Sequence, residues 1–306
     1  MDLANSSAPP NSVASFGSWS AEMQQSTASP TITQSYLFPK HRLKRVMQDP
    51  VKEPLVIVAC GSFSPVTYLH LRMFEMAHDY ILDSDRFEAL GGYFSPVSDG
   101  YAKPGLAHWQ HRVSMCELAA SDSSWLMVDP WEPSQPKYIR TALVLDHFEQ
   151  ELNSGADGGV LMSDGMSLLL IFNGPIILIC YLTIPYVGSR RRIRIMLLAG
   201  GDLIQSFAVP NLWKETDLSH ILGDFGCLII ERTGANVYDF LLTNDALHAH
   251  RKNVFVVKQY IHNDISSTKI RLFVCRGMSI KYLVPDLVIA YIQAQSLYNE
   301  ASTRKT

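Results

Sequence analysis

The sequence predicts an α/β protein, a Rossmann-like parallel sheet with helices on both of its faces. Three observations predict it. Short apolar, β-branched runs without polar alternation recur along the chain, as strands buried on both faces require. Stretches with helical apolar spacing fall between them, the alternation from which parallel sheets are built. The first such pair is joined by a Gly-Ser turn that hands a strand over to a helix N-terminus. At 306 residues and 47% hydrophobic, the chain can fill a sizeable core, and a net charge of −3 argues against a general nucleic-acid-binding surface.

Residues 1–35 are dominated by Ser, Ala, Thr, Pro, Gln and Asn, a composition too poor in apolar surface to offset its ordering entropy. Lys40, His41, Arg42, Lys44 and Arg45 follow as a short basic stretch. Residues 1–50 are therefore expected to be disordered and 51–300 to form the folded domain. The opening strand runs from Leu55 to Cys60, and a helix with Thr67 as N-cap carries Leu69, Phe74, Ala77 and Ile81. A second strand is expected at Phe87–Phe94 and a helix at Ala107–Ala120, with Trp109, Val113, Cys116 and Ala120 on one face. A short strand at Trp125–Val128 leads through the turn Asp129–Pro133 into a helix from Ser134 to Leu152.

After the break at Gly155–Gly159, Ser167–Val187 carries no charge and Arg190, Arg191, Arg192 and Arg194 follow closely. Length and basic flank match a membrane span. Asn173-Gly-Pro175 interrupts the run, however, and a span here would pull apart two strands of one sheet. The segment at about 155–190 is read instead as an apolar hairpin insertion, or as residues foreign to the natural product, and membrane association is disfavoured. The pattern resumes with a strand at Ile193–Ala199, a helix through Phe207, a short helix at Leu218–Leu222 and a strand at Gly226–Glu231. A helix at Ala235–Leu242, a last strand at Val254–Val257 and closing helices after Asn263 complete the chain.

In open α/β sheets ligands bind at the carboxyl ends of the strands. Gly61, Ser62 and His70, then Trp131, then Gly200–Asp202, then Ser266–Arg271 all fall at such ends. Ser266-Ser-Thr-Lys-Ile-Arg271 puts hydroxyls and free N–H groups at a helix start with two cations just inside, which reads either as an anion cradle or as an ordinary cap with a solvated basic turn. The five cysteines lack metal-ligand spacing and suggest reduced thiols in an intracellular protein. His108, His111, His147, His220, His248 and His250 likewise lack it and read as structural or surface groups.

Gly61-Ser-Phe-Ser-Pro-Val-Thr-Tyr-Leu-His-Leu-Arg-Met-Phe-Glu75 resembles the signature of eukaryotic nicotinamide/nicotinic acid mononucleotide adenylyltransferases, most of all fungal ones. Ile265-Ser-Ser-Thr-Lys-Ile-Arg271 is similar to their second signature. Tyr93–Tyr101, Val128–Pro133, Leu197–Asp202 and Pro210–Trp213 fall between them in the family's order. The resemblance implies a nucleotidyltransferase that joins ATP and the mononucleotide into NAD and pyrophosphate with Mg2+, with a homo-oligomer left open. It implies His70 and Arg271 as catalytic residues. Gly61, Ser62, Lys103, Thr268, Lys269 and Ile270 would join them on the ATP phosphates. Gly61, Ser62, Trp131, Gly200, Asp202, Leu212, Trp213 and Asn263 would hold the pyridine nucleotide, with the two tryptophans sandwiching its ring. The basic residues often found beside the lysine of the phosphate-side loop are Ala102 and Pro104 here, and Gly201 stands where the pattern usually has Ala. Two other readings stand beside this one: a related enzyme with another acceptor, and a nucleotide-binding protein whose catalysis the insertion impairs. The expected compartment is nucleus or cytoplasm, with no nucleic-acid partner.

Overall fold

Each apolar run of the main sheet becomes a strand. The computed structural model describes residues 36–162, 167–173, 176–182, 189–207, 209, 212–231 and 237–299. The expected disorder of residues 1–35 lies outside them. In chain order the first half comprises β1 (Glu53–Gly61), α1 (Tyr68–Ser84), β2 (Phe87–Pro96), α2 (Trp109–Ala119), β3 (Leu126–Val128) and α3 (Thr141–Asn153). Then come β4 (Val160–Leu161), β5 (Ser167–Asn173), β6 (Ile176–Leu182), β7 (Arg190–Arg191), β8 (Arg194–Gly200), α4 (Gly201–Phe207) and α5 (Glu215–His220). The chain continues with β9 (Cys227–Glu231), α6 (Val237–Thr243), α7 (Asp245–Ala249), β10 (Val254–Lys258), α8 (Ser267–Cys275) and α9 (Asp286–Ala294).

The main sheet has six strands in the order β10-β9-β8-β1-β2-β3, and all its pairings are parallel. Successive residues of one strand feed opposite layers. Leu55, Ile57 and Ala59 of β1 join Met196 and Leu198 of β8 in a core closed by α1, α2, α8 and α9. Val56 and Val58 join Ile195 and Leu197 in a second core closed by α3, α4 and α5. Burial on both faces explains why these strands show no polar alternation in sequence.

Two expectations need correction. The folded unit starts at Tyr36, earlier than residue 51: Phe38 and Met47 are buried, and Lys40 and Arg42 donate to the carbonyls of Glu151, Ala120 and Leu126. The stretch is thus a strap across the domain, and its cations reach domain carbonyls that composition cannot reveal. Helix α3 begins at Thr141, later than Ser134, because Pro136 and side-chain bonds from Ser134 and Gln135 to the Trp131 carbonyl hold the intervening residues in turns. On α2 the expected face holds: Val113, Cys116 and Ala120 are buried in the core layer that α1 shares, and Trp109 packs half-buried against it, while Arg112 and Met115 are buried as well.

The apolar insertion takes the hairpin form. β5 and β6 pair antiparallel to each other in a two-stranded sheet separate from the main one. At its base β4 pairs with β7, and Met162 N–H donates to the Ser189 carbonyl at 3.4 Å. Among the described residues no helix is long and apolar enough to cross a membrane. The hairpin leaves the domain beside Arg194, the amino end of β8, whereas Gly200 ends that strand about 20 Å away at roughly 3.3 Å per residue. This placement removes the reason for expecting the insertion to distort the Gly200–Asp202 corner. Excising residues 163–188 should therefore change unfolding free energy by no more than about 1 kcal/mol, since its ends already meet. Denaturant melts of both forms check this, and a larger loss would show that the hairpin supports the domain.

Candidate active site

The strand order reverses between β1 and β8, so a crevice opens between their carboxyl ends. Their ladder pairs Leu55–Val58 with Arg194–Leu197, and both strands run on past it, to Gly61 and Gly200. Among the described residues a Cβ on Gly200 would meet nothing within 4 Å, and one on Gly61 would press at 3.0 Å on the Phe63 ring. Gly200 therefore leaves room for a ligand to approach the backbone, whereas the side-chain position at Gly61 is taken by the Phe63 ring.

The turn after β1 is tightly held. Phe63 takes a left-handed φ of 43° and sends its buried ring against Phe94 and edge-on to His70, 5.2 Å between centroids. Thr67 then caps α1, and His70 completes a capping box. Thr67 N–H donates to His70 Nδ1 at 3.0 Å. A nitrogen that accepts an N–H carries no proton, so the neutral ring bears its proton on Nε2, a donor suited to a phosphate oxygen.

Helix α8 docks onto this turn from the other end of the chain. Ser267 Oγ donates to the Pro65 carbonyl at 2.8 Å, and Arg271 Nη1 to the Ser64 carbonyl at 2.8 Å. Ser266 caps the helix by accepting from Lys269 N–H, and Thr268 Oγ1 accepts from Arg271 Nη2 at 3.4 Å. Burial lowers the Arg271 pKa, yet a guanidinium stays charged at any physiological pH. The loop that holds Lys103 passes beside it: a Cβ at Gly105 would lie 3.5 Å from Arg271 Nε. A helix N-terminus, a half-buried cation and the Nε2 of His70 thus gather around the end of β1.

Other predicted residues divide. Asp202 lies exposed in the first turn of α4, Leu212 is exposed, and Trp131 and Trp213 pack half-buried on the same core layer. Trp131 stacks on His147, while Trp213 meets Phe207 edge-on and donates from Nε1 to Ser206 Oγ at 3.0 Å. Three other predicted residues have intramolecular surroundings of their own. Ile270 is core, 1% exposed, so only its backbone can face a ligand. Lys269 Nζ pairs with Asp264 at 2.6 Å. Asn263 Oδ1 accepts Ile265 N–H in a turn ahead of α8.

A profile of the "Cytidylyltransferase-like" family matches residues 58–273. The chain is 55% identical over 266 residues to nicotinamide/nicotinic acid mononucleotide adenylyltransferase 2 of Saccharomyces cerevisiae, covering 87% of this chain and 61% of that protein. It is 54% identical over 272 residues to the Schizosaccharomyces pombe adenylyltransferase of the same name, covering 89% of this chain and 67% of that protein. With adenylyltransferase 1 of Bos taurus it shares 39% identity over 264 residues, 85% of this chain and 94% of that protein. The chain belongs to the nicotinamide/nicotinic acid mononucleotide adenylyltransferase family. It spans about 60% of the length of the two Saccharomyces members it matches.

Sequence reasoning missed several residues that support this candidate site. Arg112 is fully buried and donates to Asp99 Oδ1, the Ser62 carbonyl and the Ala107 carbonyl, at 2.8, 3.2 and 2.9 Å. One guanidinium thereby ties the turn after β1 to both ends of the Lys103 loop. Glu132, 2% exposed, accepts from Ser95 Oγ at 2.5 Å, and burial pushes its carboxyl up to about 8. An arginine on a helix is ordinarily solvated, and nothing in spacing distinguishes these from surface charges.

Helix α5, just after Trp213, is clamped to α3 by two ion pairs. Arg140 meets Asp217 at 2.6 Å, and the His220 ring lies between Asp146 at 2.7 Å and Asp224 at 2.6 Å. The hydrogen bond to Asp146 is the main cause raising the His220 pKa above 6.5. A raised histidine stabilises the fold fully below its unfolded value and loses that contribution as pH climbs through its folded value. Replacing His220 with Gln should therefore lower Tm more at pH 6 than at pH 9, read by thermal melts of both forms. An equal decrement at both pH values would contradict the clamp.

Proposed function

We propose that the chain transfers the adenylyl group of ATP to nicotinamide mononucleotide, and to nicotinic acid mononucleotide, giving the dinucleotide and pyrophosphate. The observation that carries this reading is the docking of α8 on the β1–α1 turn, which brings Arg271 and His70 to one strand end beside the crevice. In the reaction, a 5′-phosphate oxygen of the mononucleotide forms the new bond to the α-phosphorus. The bond from that phosphorus to the bridging oxygen breaks, and pyrophosphate leaves. No side-chain nucleophile is required, so positioning and charge neutralisation supply the catalysis.

His70 Nε2–H and the Arg271 guanidinium donate to phosphate oxygens that gain charge as pyrophosphate departs. First-turn N–H groups of α8, with Thr268, hold the triphosphate, and Lys103 closes from its loop. Gly61, Ser62 and Gly200 let backbone approach the mononucleotide, Asp202 meets its ribose, and Trp131 and Trp213 take the pyridine ring. Leu212 and Asn263 border the same substrate. The donors here are N–H groups and cations, and among the described residues no cluster of three His, Cys, Asp or Glu could hold a metal. That set fits Mg2+ carried on ATP's own phosphates, where it would neutralise phosphate charge.

Purified protein incubated with ATP, Mg2+ and nicotinamide mononucleotide should form NAD and pyrophosphate in equal amounts, followed by chromatography. His70→Ala should lower turnover by about 100-fold or more, while loss of the capping box costs about 1 kcal/mol of stability. Folded wild-type protein that makes no dinucleotide, or one that prefers a non-pyridine acceptor, would overturn the reading.

A further inference from the structure

Beneath Trp131 lies a set of polar groups that the proposed chemistry does not use, with Asp129 and His147 buried and Tyr36 partly open to solvent. The imidazole of His147 stacks on the indole with centroids 4.0 Å apart and planes 5° from parallel. Asp129, fully buried, accepts the Trp131 backbone N–H on Oδ1 at 3.2 Å. The same Oδ1 accepts the Tyr36 hydroxyl at 3.0 Å, and Tyr36 oxygen lies 2.8 Å from His147 Nε2. Since the Tyr36 proton goes to Asp129, its oxygen accepts from His147 Nε2–H. Among the described residues Asp129 Oδ2 has no hydrogen-bond partner, and it faces the same Nε2 at 3.3 Å, so the carboxylate is oriented toward His147. Phe38 and Phe148 box the imidazole edge-on at 6.0 and 5.8 Å.

The indole stands on a turn, and a turn alone does not fix a side-chain rotamer. Here the backbone of the turn is tied by Asp129, and one indole face is covered by a ring held by that same carboxylate and by Tyr36. A ligand stacking on this indole would take the opposite face. We propose that His147, held by Asp129 and Tyr36, is the positioning residue for Trp131 and sets the affinity for the pyridine mononucleotide. Tyr36, from the strap ahead of β1, thereby becomes part of the pyridine side of the site. This deepens the adenylyltransferase reading and rests on it. The gain is preorganisation: the indole is ordered before substrate arrives, so binding loses less rotamer freedom.

The test compares wild type with His147→Ala, His147→Phe and Tyr36→Phe. His147→Ala should raise KM for nicotinamide mononucleotide by about 3- to 10-fold, the scale of one immobilised side chain, and leave KM for ATP unchanged. His147→Phe, which keeps a stacking ring, should recover most of that loss. Tyr36→Phe removes one hydroxyl and should raise the same KM about 2-fold; it stands in if His147→Ala does not fold. Trp131 fluorescence, isolated by subtracting the Trp131→Phe spectrum, gives a readout independent of turnover. Its quenching by acrylamide should increase in His147→Ala or, if that variant does not fold, in Tyr36→Phe. Unchanged quenching, or KM values for both substrates rising together, would overturn the positioning role. A wild-type protein that forms no dinucleotide yet shows the quenching change would sink the adenylyltransferase reading alone.

Discussion

Two hydrogen bonds hold the candidate site together: Arg271 to the Ser64 carbonyl and Ser267 to the Pro65 carbonyl, joining residues 207 and 202 positions apart. Each partner alone is unremarkable. The turn after β1 is a common strand-to-helix corner, and a capped basic helix start occurs throughout α/β proteins. Docked, they set the positive end of a helix and a half-buried guanidinium against a histidine whose Nδ1 is already occupied. In the proposed reading, phosphate affinity depends on this contact, because Arg271, which would bind the ligand, also fixes the two pieces against each other.

The sheet makes that contact possible. Parallel strands point every carboxyl end to one edge, and the reversal of order between β1 and β8 opens the crevice there. Arg112 extends the same arrangement sideways, since its guanidinium fixes Ser62, Asp99 and Ala107 together. The apolar hairpin leaves from the opposite edge, beside the amino end of β8. A long insertion there is compatible with an intact site, because its ends are closed by β4 and β7.

The strands of the main sheet were legible because burial on both faces writes itself as an unbroken apolar run, as in Val56–Ala59 and Ile195–Ala199. The two signature stretches were legible because turns and caps demand particular residues: Thr67 does cap α1, and Ser266 does cap α8. What stayed hidden depends on contacts between distant residues. Nothing near Tyr36 foretells Asp129 and His147, and nothing near Arg112 foretells the Ser62 carbonyl. Residues 36–50 looked like a solvated linker because their cations reach domain carbonyls, invisible to composition. Ile270 stands in the second signature with its neighbours, and helical geometry turns its side chain into the core between Lys269 and Arg271, which the run of residue types does not show.

The central claim is that the turn after β1 and the start of α8 form one triphosphate site. The most direct measurement is a crystal structure of the protein with a non-hydrolysable ATP analogue. The β- and γ-phosphates should sit between the two pieces, within hydrogen-bond distance of His70 Nε2, the Arg271 guanidinium and first-turn N–H groups of α8. Phosphates seated away from α8, with Arg271 still bonded only to Ser64 and Thr268, would contradict it.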